Sequence, residues 1–285
     1  MDSPITYLPL ARLISWQASD LIMEYYQSGQ NLQIISKGAG EGDVTIADRQ
    51  ANDLILRELQ NHLGNTECAY MSEESADNLD RLQYEWVWII DPLDGTKGFI
   101  EHSGEFGVHI ALAYRQRPVL GVVVFPAHAQ LYYAVQGQGA FQETKDGTVI
   151  PIRVSDRTQL TDMTAIASRS HRTPAMEFLL EQLPKRQEQQ VGGLGGKWLA
   201  IATGRVDYYL TIPGESAPKD WDFCAPEIIL QEAGGRASHF DNSPILYNRD
   251  TLEQRQPIVA SNGHAHEQLC QLCSQGLREF SLQLG

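Results

Sequence analysis

The chain has 285 residues, 42% of them hydrophobic and 20% charged, enough to bury a sizeable core in one large domain or two moderate ones. A formal charge of −14 argues against a general binder of nucleic-acid polymers or anionic membranes, although bound metals can reverse the field locally. No apolar stretch is long enough to span a bilayer, the N-terminus lacks a signal peptide's basic start, and four cysteines do not build a disulfide scaffold, so free thiols in a reducing cytoplasm are expected.

Leu10, Ile14, Ala18, Leu21, Ile22 and Tyr25 recur at helical spacing and predict an amphipathic packing helix ending near Gly29. A Gly-rich loop, Lys37 to Asp43, leads through Val44 into a second helix with Ala51, Leu54, Ile55 and Leu59 on one face. Asp48 stands where an N-cap or first-turn acid belongs, and on residue type alone capping is its favoured role. Beyond a turn at Gly64 to Thr66, the adjacent acids Glu73 and Glu74 read as a solvated loop, and the polar run Ala76 to Tyr84 reads as surface.

Trp86 to Ile90 is the apolar run of a buried strand, and it leads into Asp91-Pro92-Leu93-Asp94-Gly95-Thr96. Pro92, with no N–H and a fixed φ, is expected to stop the strand. Two carboxylates on one stiff turn repel each other unless a cation lies between them, and a hard divalent ion suits oxygen donors. Gly95 lets the backbone come close to a ligand, and the N–H groups after it face an anion if a short helix begins there. Metal on one side and bare amides on the other make a phosphate cradle.

Beyond this turn, Phe106 to Tyr114, Val119 to Phe125 and Gln130 to Val135 predict an antiparallel meander, followed by a short strand after Gly137. The pattern changes around Asp146 to Ser155, where a domain boundary is expected. Strands at Thr164 to Ala167, Gln189 to Val191, Val206 to Ile212 and Ile258 to Ala260 then alternate with helices. Those helices run over Thr173 to Leu183, Lys197 to Thr203, Trp221 to Ala233 and His264 to Leu277, and the alternation points to a second α/β layer. Cys270 and Cys273 form a lone C-x-x-C pair on the last helix, short of the four ligands a zinc site needs.

Two readings of the acidic turn fail on spacing. Counted from Asp91, a calcium-binding EF-hand loop would need an acid where Leu93 stands and a Glu where His102 stands. A haloacid-dehalogenase-type phosphatase would need its aspartyl nucleophile where Pro92 stands.

Four stretches occur in order: Thr45-Ile46-Ala47-Asp48, Glu73-Glu74, Trp88 to Thr96, and Trp221-Asp222 leading to Gly234-Gly235. In this ordered set the chain resembles the lithium-sensitive, magnesium-dependent phosphatases that include inositol monophosphatases and 3′(2′),5′-bisphosphate nucleotidases, over roughly residues 5 to 265. Ser168-Arg169-Ser170-His171, Val191 to Lys197, Lys219 to Glu227 and the Lys97 after Thr96 resemble the nucleotidase branch. Thr211 stands where some of that branch carry a substrate-contacting Arg, and Gly98 where an acid is common.

The resemblance implies an α/β fold, α+β in its first half, layered as an αβαβα sandwich. Residues 1–148 would carry most metal ligands, and residues 149–285 Asp222 and the nucleotide contacts. It implies two or three Mg²⁺: one on Glu73, Asp91 and the Leu93 carbonyl and a second on Asp91, Asp94 and Asp222, with Glu74 supporting the loop or a weaker third site. Asp48 and Thr96 would activate the attacking water, and the amides of Gly95 and Thr96 would receive the transferred phosphate. Ser168, His171, Gly193 and Lys197 would contact the nucleotide, Gly193 by close backbone approach; without the resemblance the other three read as a helix-capping Ser, a surface His and a solvated Lys. The implied reaction is removal of the 3′-phosphate of adenosine 3′,5′-bisphosphate, and also of its sulfated form, with inhibition by lithium. An inositol or fructose-1,6-bisphosphate phosphatase is the alternative enzyme, and a non-catalytic nucleotide sensor the alternative of another class.

Overall fold

The computed structural model describes residues 3–28, 34–36, 43–63, 67–169 and 172–284. Helix α1 (Leu8–Ser28) runs up to the expected Gly29, which lies outside the described residues, as do residues 37–42 of the Gly-rich loop and the turn at 64–66. A short antiparallel pair, β1 (Ile35–Ser36) and β2 (Asp43–Val44), precedes α2 (Ile46–Leu63).

Among the described residues, seven strands then form one sheet in simple chain order. They are β3 (Ala69–Ser72), β4 (Trp86–Asp94), β5 (Gly107–Tyr114), β6 (Arg117–Phe125), β7 (Gln130–Val135), β8 (Ala140–Thr144) and β9 (Val149–Ile152), with the short helix α3 (Thr96–Ile100) between β4 and β5. Every neighbouring pair is antiparallel except β3 and β4, so the expected meander is present.

A second, mixed sheet has the order β11-β10-β12-β14-β13. Its strands and helices follow as β10 (Thr164–Ser168), α4 (Pro174–Gln182), β11 (Gln187–Val191), α5 (Leu194–Ala202), β12 (Tyr208–Thr211), α6 (Asp220–Glu232), β13 (Arg236–His239), β14 (Ile258–Ser261) and α7 (His266–Leu284). Strand β13 has no counterpart in the sequence reading. Its register pairs the partly polar run Arg236–His239 with Ile258 to Ser261, so its neighbours rather than its own apolar pattern make it a strand. Helix α7 also continues past the expected Leu277.

The parity of side chains along each strand defines the layers. Trp88, Ile90, Ile110 and Val122 face α1 and α2. Ile89, Ala111 and Val123 face the other way, onto Trp198 of α5 and Ile228 of α6, which in turn cover Ile166, Tyr209 and Ala260 of the second sheet. The far side of that sheet, with Ala165, Tyr208 and Val259, packs on Met176 and Leu179 of α4 and Leu269 of α7. The stack is helix–sheet–helix–sheet–helix, as expected. Both faces of the first sheet are covered, which explains why β5, His109 apart, and the Trp86 to Ile90 stretch of β4 read as apolar runs although most of the sheet is antiparallel.

Helix α6 is the middle layer's main contact with the first sheet, and Gly121 of β6 sets its height. A Cβ at that position would lie 2.5 Å from Ile228 Cγ2 and 2.7 Å from the Ala225 carbonyl oxygen. The expected surface loop Ala76 to Tyr84 is partly interior. A 3₁₀ turn, Leu79–Gln83, buries Arg81, which donates to Asn248 Oδ1 at 2.8 Å and the Arg249 carbonyl at 2.7 Å. All four cysteines are free and buried, with Cys270 against Ser238 and the His239 carbonyl. Among the described residues no helix is long and apolar enough to cross a membrane.

Candidate active site

The site begins where β4 ends. Pro92 lies in a register shift of the β4–β5 ladder, between the pairs Asp91↔His109 and Asp94↔Gly107. A bulge is one of the few places where a strand accepts a residue with no N–H. The strand therefore runs through Pro92 to Asp94 instead of stopping at the proline, and the bulge re-aims the acids on either side. Leu93 N donates to Asp91 Oδ1 at 3.0 Å, holding that carboxylate against its own turn. Gly95 follows at φ 84°, and a Cβ there would lie 2.6 Å from the Glu105 carbonyl oxygen, so glycine alone closes the turn. Thr96 then starts the short helix, as expected.

Two helix starts deliver acids to this turn. Asp48, in the first turn of α2, accepts from Thr45 N at 2.8 Å and Thr45 Oγ1 at 2.5 Å on Oδ2. Its other oxygen, Oδ1, lies 3.0 Å from Thr96 Oγ1, which is itself 3.2 Å from the Leu93 carbonyl oxygen. One oxygen caps the helix and the other reaches the turn. In α6, Asp222 Oδ2 accepts from Lys219 N at 2.6 Å within a capping box. Asp91, Asp94 and Asp222 each bring a carboxylate oxygen within 4.8 Å of the other two.

Glu73 N donates to the Ile90 carbonyl at 3.2 Å, which ties the loop after β3 alongside β4. Glu73 stands outside that trio of carboxylates, but its charge bears on both Asp91 and Asp222. Burial, reinforced by Glu73, Asp94 and Asp222, pushes the Asp91 carboxyl well above the usual carboxylate range. Burial also lifts Asp222 to about 8, with Asp94 and Glu73 adding to it against the opposing Lys219 amide. Asp48 is lifted to about 6 by burial, partly offset by its bonds to Thr45 and Thr96 and aided by Glu74.

The second sheet brings its loops to the same place. Gly193 precedes α5, and the first amides of that helix hold Asp94: Gly195 N donates to Oδ2 at 2.9 Å and Leu194 N at 3.1 Å. Lys197 is buried, not solvated; its Nζ donates to the Gly193 carbonyl and lies 5.5 Å from the centre of the Tyr209 ring. Burial lowers its pKa to about 8, against the attraction of Asp94, Glu105 and Asp222, so it is mostly charged at neutral pH. Ser168 is buried at the end of β10, and the parallel ladder sets it beside Val191, just before Gly192 and Gly193. His171 lies outside the described residues.

The sequence reading did not single out His109 or Glu105. His109 is fully buried, with Nε2 3.5 Å from Asp94 Oδ2 and Nδ1 3.3 Å from the Trp221 carbonyl oxygen. Its signal was a lone ionisable residue inside the apolar run of β5. Glu105 is joined to Arg169 and Gly192, residues far away in the chain, and nothing local marks it.

Three clustered carboxylates with a backbone carbonyl nearby form an oxygen-only donor set that fits a hard divalent cation. The protein donors on Asp94 orient it without exhausting its lone pairs. An acidic cluster at the end of a central strand, in a five-layer αβαβα sandwich, with helix starts converging on it, defines the class.

The chain belongs to the inositol monophosphatase family, whose family profile matches residues 6–278. It is 32% identical over 232 residues to the 3′(2′),5′-bisphosphate nucleotidase CysQ of Escherichia coli (strain K12), covering 81% of this chain and 89% of that protein. It is 35% identical over 210 residues to the 3′-phosphoadenosine 5′-phosphate phosphatase of Mycobacterium tuberculosis (strain CDC 1551 / Oshkosh), covering 71% of each. Among solved structures it is similar to CysQ from Bacteroides thetaiotaomicron, with TM-score 0.72 and 29% identity over 87% of this chain and 94% of that one.

Proposed function

We propose that this chain is a Mg²⁺-dependent phosphatase that removes the 3′-phosphate of adenosine 3′,5′-bisphosphate, releasing AMP and phosphate, and that also accepts the sulfated form. The observation that carries the bisphosphate assignment is the juxtaposition of Gly193 and the buried cation Lys197 with Asp94. A bisphosphate needs a charge beside the metal platform and inositol 1-phosphate does not; the choice of a nucleotide over a sugar bisphosphate rests on the relatives' names. The names of the bisphosphate nucleotidase relatives support the same reading.

In this reading Glu73, Asp91 and the Leu93 carbonyl hold one Mg²⁺, and Asp91, Asp94 and Asp222 a second, with a weaker third site near Glu74. When bound, the ions supply Lewis-acid stabilisation of the attacking and leaving oxygens of an in-line displacement. Thr96 Oγ1 and Asp48 Oδ1, bonded to each other at 3.0 Å, both reach the attacking water from the same side, and Asp48 takes its proton. A carboxylate lifted to about 6 is a stronger base than a free one and still ionised at neutral pH. The amides of Gly95 and Thr96 receive the transferred phosphate. Ser168, His171, Gly193 and Lys197 hold the nucleotide.

Division of labour follows, with residues 1–148 carrying the metal platform and 149–285 supplying Asp222 and the nucleotide contacts. Four reduced thiols suit a cytoplasmic enzyme. The test is phosphate release from a panel of adenosine 3′,5′-bisphosphate, its sulfated form, inositol 1-phosphate and fructose 1,6-bisphosphate. The bisphosphate nucleotide is expected to turn over fastest; faster turnover of either sugar phosphate overturns the assignment.

A further inference from the structure

Glu105, in the loop between α3 and β5, touches three segments that are distant in the chain. Its carboxylate accepts both ends of the Arg169 guanidinium, NH1 on Oε2 at 3.0 Å and NH2 on Oε1 at 2.9 Å. The same Oε2 accepts from Gly192 N at 3.1 Å. Its backbone oxygen lies under the acidic turn, 2.6 Å from where a Cβ at Gly95 would sit and 2.5 Å from one at Gly98. That close approach explains the glycine at position 98. Each segment carries part of the site: Gly95 belongs to the metal turn, Arg169 follows Ser168, and Gly192 precedes Gly193 and the helix bearing Lys197.

An isolated ion pair with a half-exposed arginine contributes little stability. Here the geometry is bidentate, and a backbone amide on the same carboxylate fixes it from a third direction. Glu105 is also the point at which loops from the two sheets meet across the site.

We propose that Glu105 is a positioning residue for substrate specificity, clamping the Arg169 and Gly192 segments to the metal turn so that the groups holding the uncleaved part of the substrate stay at a fixed distance from the acids. The inference rests on the nucleotide reading above. It differs from that reading in placing a determinant of affinity on a side chain that meets neither metal nor reacting phosphate. Loss of the clamp frees the Arg169 segment and the Gly192 end of its loop, while the amides of Leu194 and Gly195, already inside α5, still hold Asp94, so the cost falls on substrate binding and not on the chemical step.

The test is steady-state kinetics of phosphate release from adenosine 3′,5′-bisphosphate by the wild type, Glu105→Gln, Arg169→Gln and the double variant, at saturating Mg²⁺. Arg169 lies at the exposed end of the pair, so its variant folds even if Glu105→Gln does not. Each single variant is expected to raise KM about tenfold with kcat changed less than about twofold, the effect of one lost charge-assisted contact. The double variant is expected to be no worse than the poorer single one, the non-additivity of two groups in one contact. Arg169→Lys is expected to recover part of the loss. Unchanged KM in both single variants, a loss confined to kcat, or fully additive losses each overturn the clamp while leaving the nucleotide reading standing. A wild type that leaves the bisphosphate intact overturns that reading and the clamp together.

Discussion

Helices α2 and α6 begin in the same way and do different work. In each, a carboxylate in the first turn folds back to accept from the backbone N–H at the helix entrance, Asp48 from Thr45 and Asp222 from Lys219. This is ordinary capping geometry. In each it leaves one carboxylate oxygen facing outward at a fixed height and angle. What differs is the environment of that second oxygen. Asp48 meets the Thr96 hydroxyl, and Asp222 meets two further carboxylates. One helix start therefore turns its acid to a hydroxyl, and the other adds its acid to a carboxylate cluster whose donor set fits a cation. Capping costs the site nothing; it supplies the rigidity that aims the acid.

Changing the outward-facing oxygen while keeping the cap breaks this comparison most sharply. Asp222→Asn retains an acceptor for Lys219 N but removes a charge from the carboxylate cluster. It is expected to lower kcat/KM by about a thousandfold or more, several kcal/mol of transition-state stabilisation, and to weaken Mg²⁺ binding in calorimetric titration. Asp48→Asn is the matching change in α2. It is expected to cost about 10²- to 10⁴-fold in kcat, the usual range for a general base, with Mg²⁺ affinity little changed. Equal loss of Mg²⁺ affinity in both variants would erase the distinction between the two helix starts.

The wild-type pH profile sharpens the same point. In the proposed mechanism Asp48 must be ionised to accept a proton and Lys197 charged to hold the second phosphate, so kcat/KM should climb with pH up to about 6, level off, and fall again as Lys197 loses its proton at about 8. Bound cations favour the ionised form of Asp48 and move the rising limb lower, so raising Mg²⁺ from subsaturating to saturating should shift that limb to more acidic pH. The smallest effect belongs to the cap itself. Thr45→Val removes the hydroxyl that donates to Asp48 and is expected to cost about 1 kcal/mol in thermal or denaturant unfolding. Activity should fall less than with Asp48→Asn.

Much of this arrangement was legible in the chain because its signals are local. The apolar run into Asp91-Pro92-Leu93-Asp94-Gly95-Thr96 named the strand, the turn and the short helix after it, and the ordered motifs led to the five-layer fold. Proline misled on one point, since the chemistry of Pro92 says only that no ladder N–H is available there. Whether a strand ends or bulges depends on its neighbour, and the register against His109 and Gly107 is invisible along a single chain. Lys197 and Arg81 read as solvated because charge predicts exposure until a partner is known; Arg81 is buried over groups far away in sequence, and Lys197 over the Gly193 carbonyl and the Tyr209 ring. His109 was hidden by the opposite error, one polar residue averaged into an apolar strand. Asp48 looked like a cap, and its second partner Thr96, in a distant turn, emerged only through the family resemblance.

Gly121 acts as a shim of zero thickness. Ile228 Cγ2 and the Ala225 carbonyl fill the space a side chain at Gly121 would need, so α6 rests directly on β6, and the same helix carries Asp222 one turn before Ala225. A cation tolerates errors of only about 0.2 Å in ligand distance. The span between Asp222 and the acids of β4 is thus calibrated by the absence of one methyl group at a position with no chemistry of its own. With Asp222 and the β4 acids as the proposed ligands, drift at that contact is expected to show first as a change in ion preference, before any loss of fold.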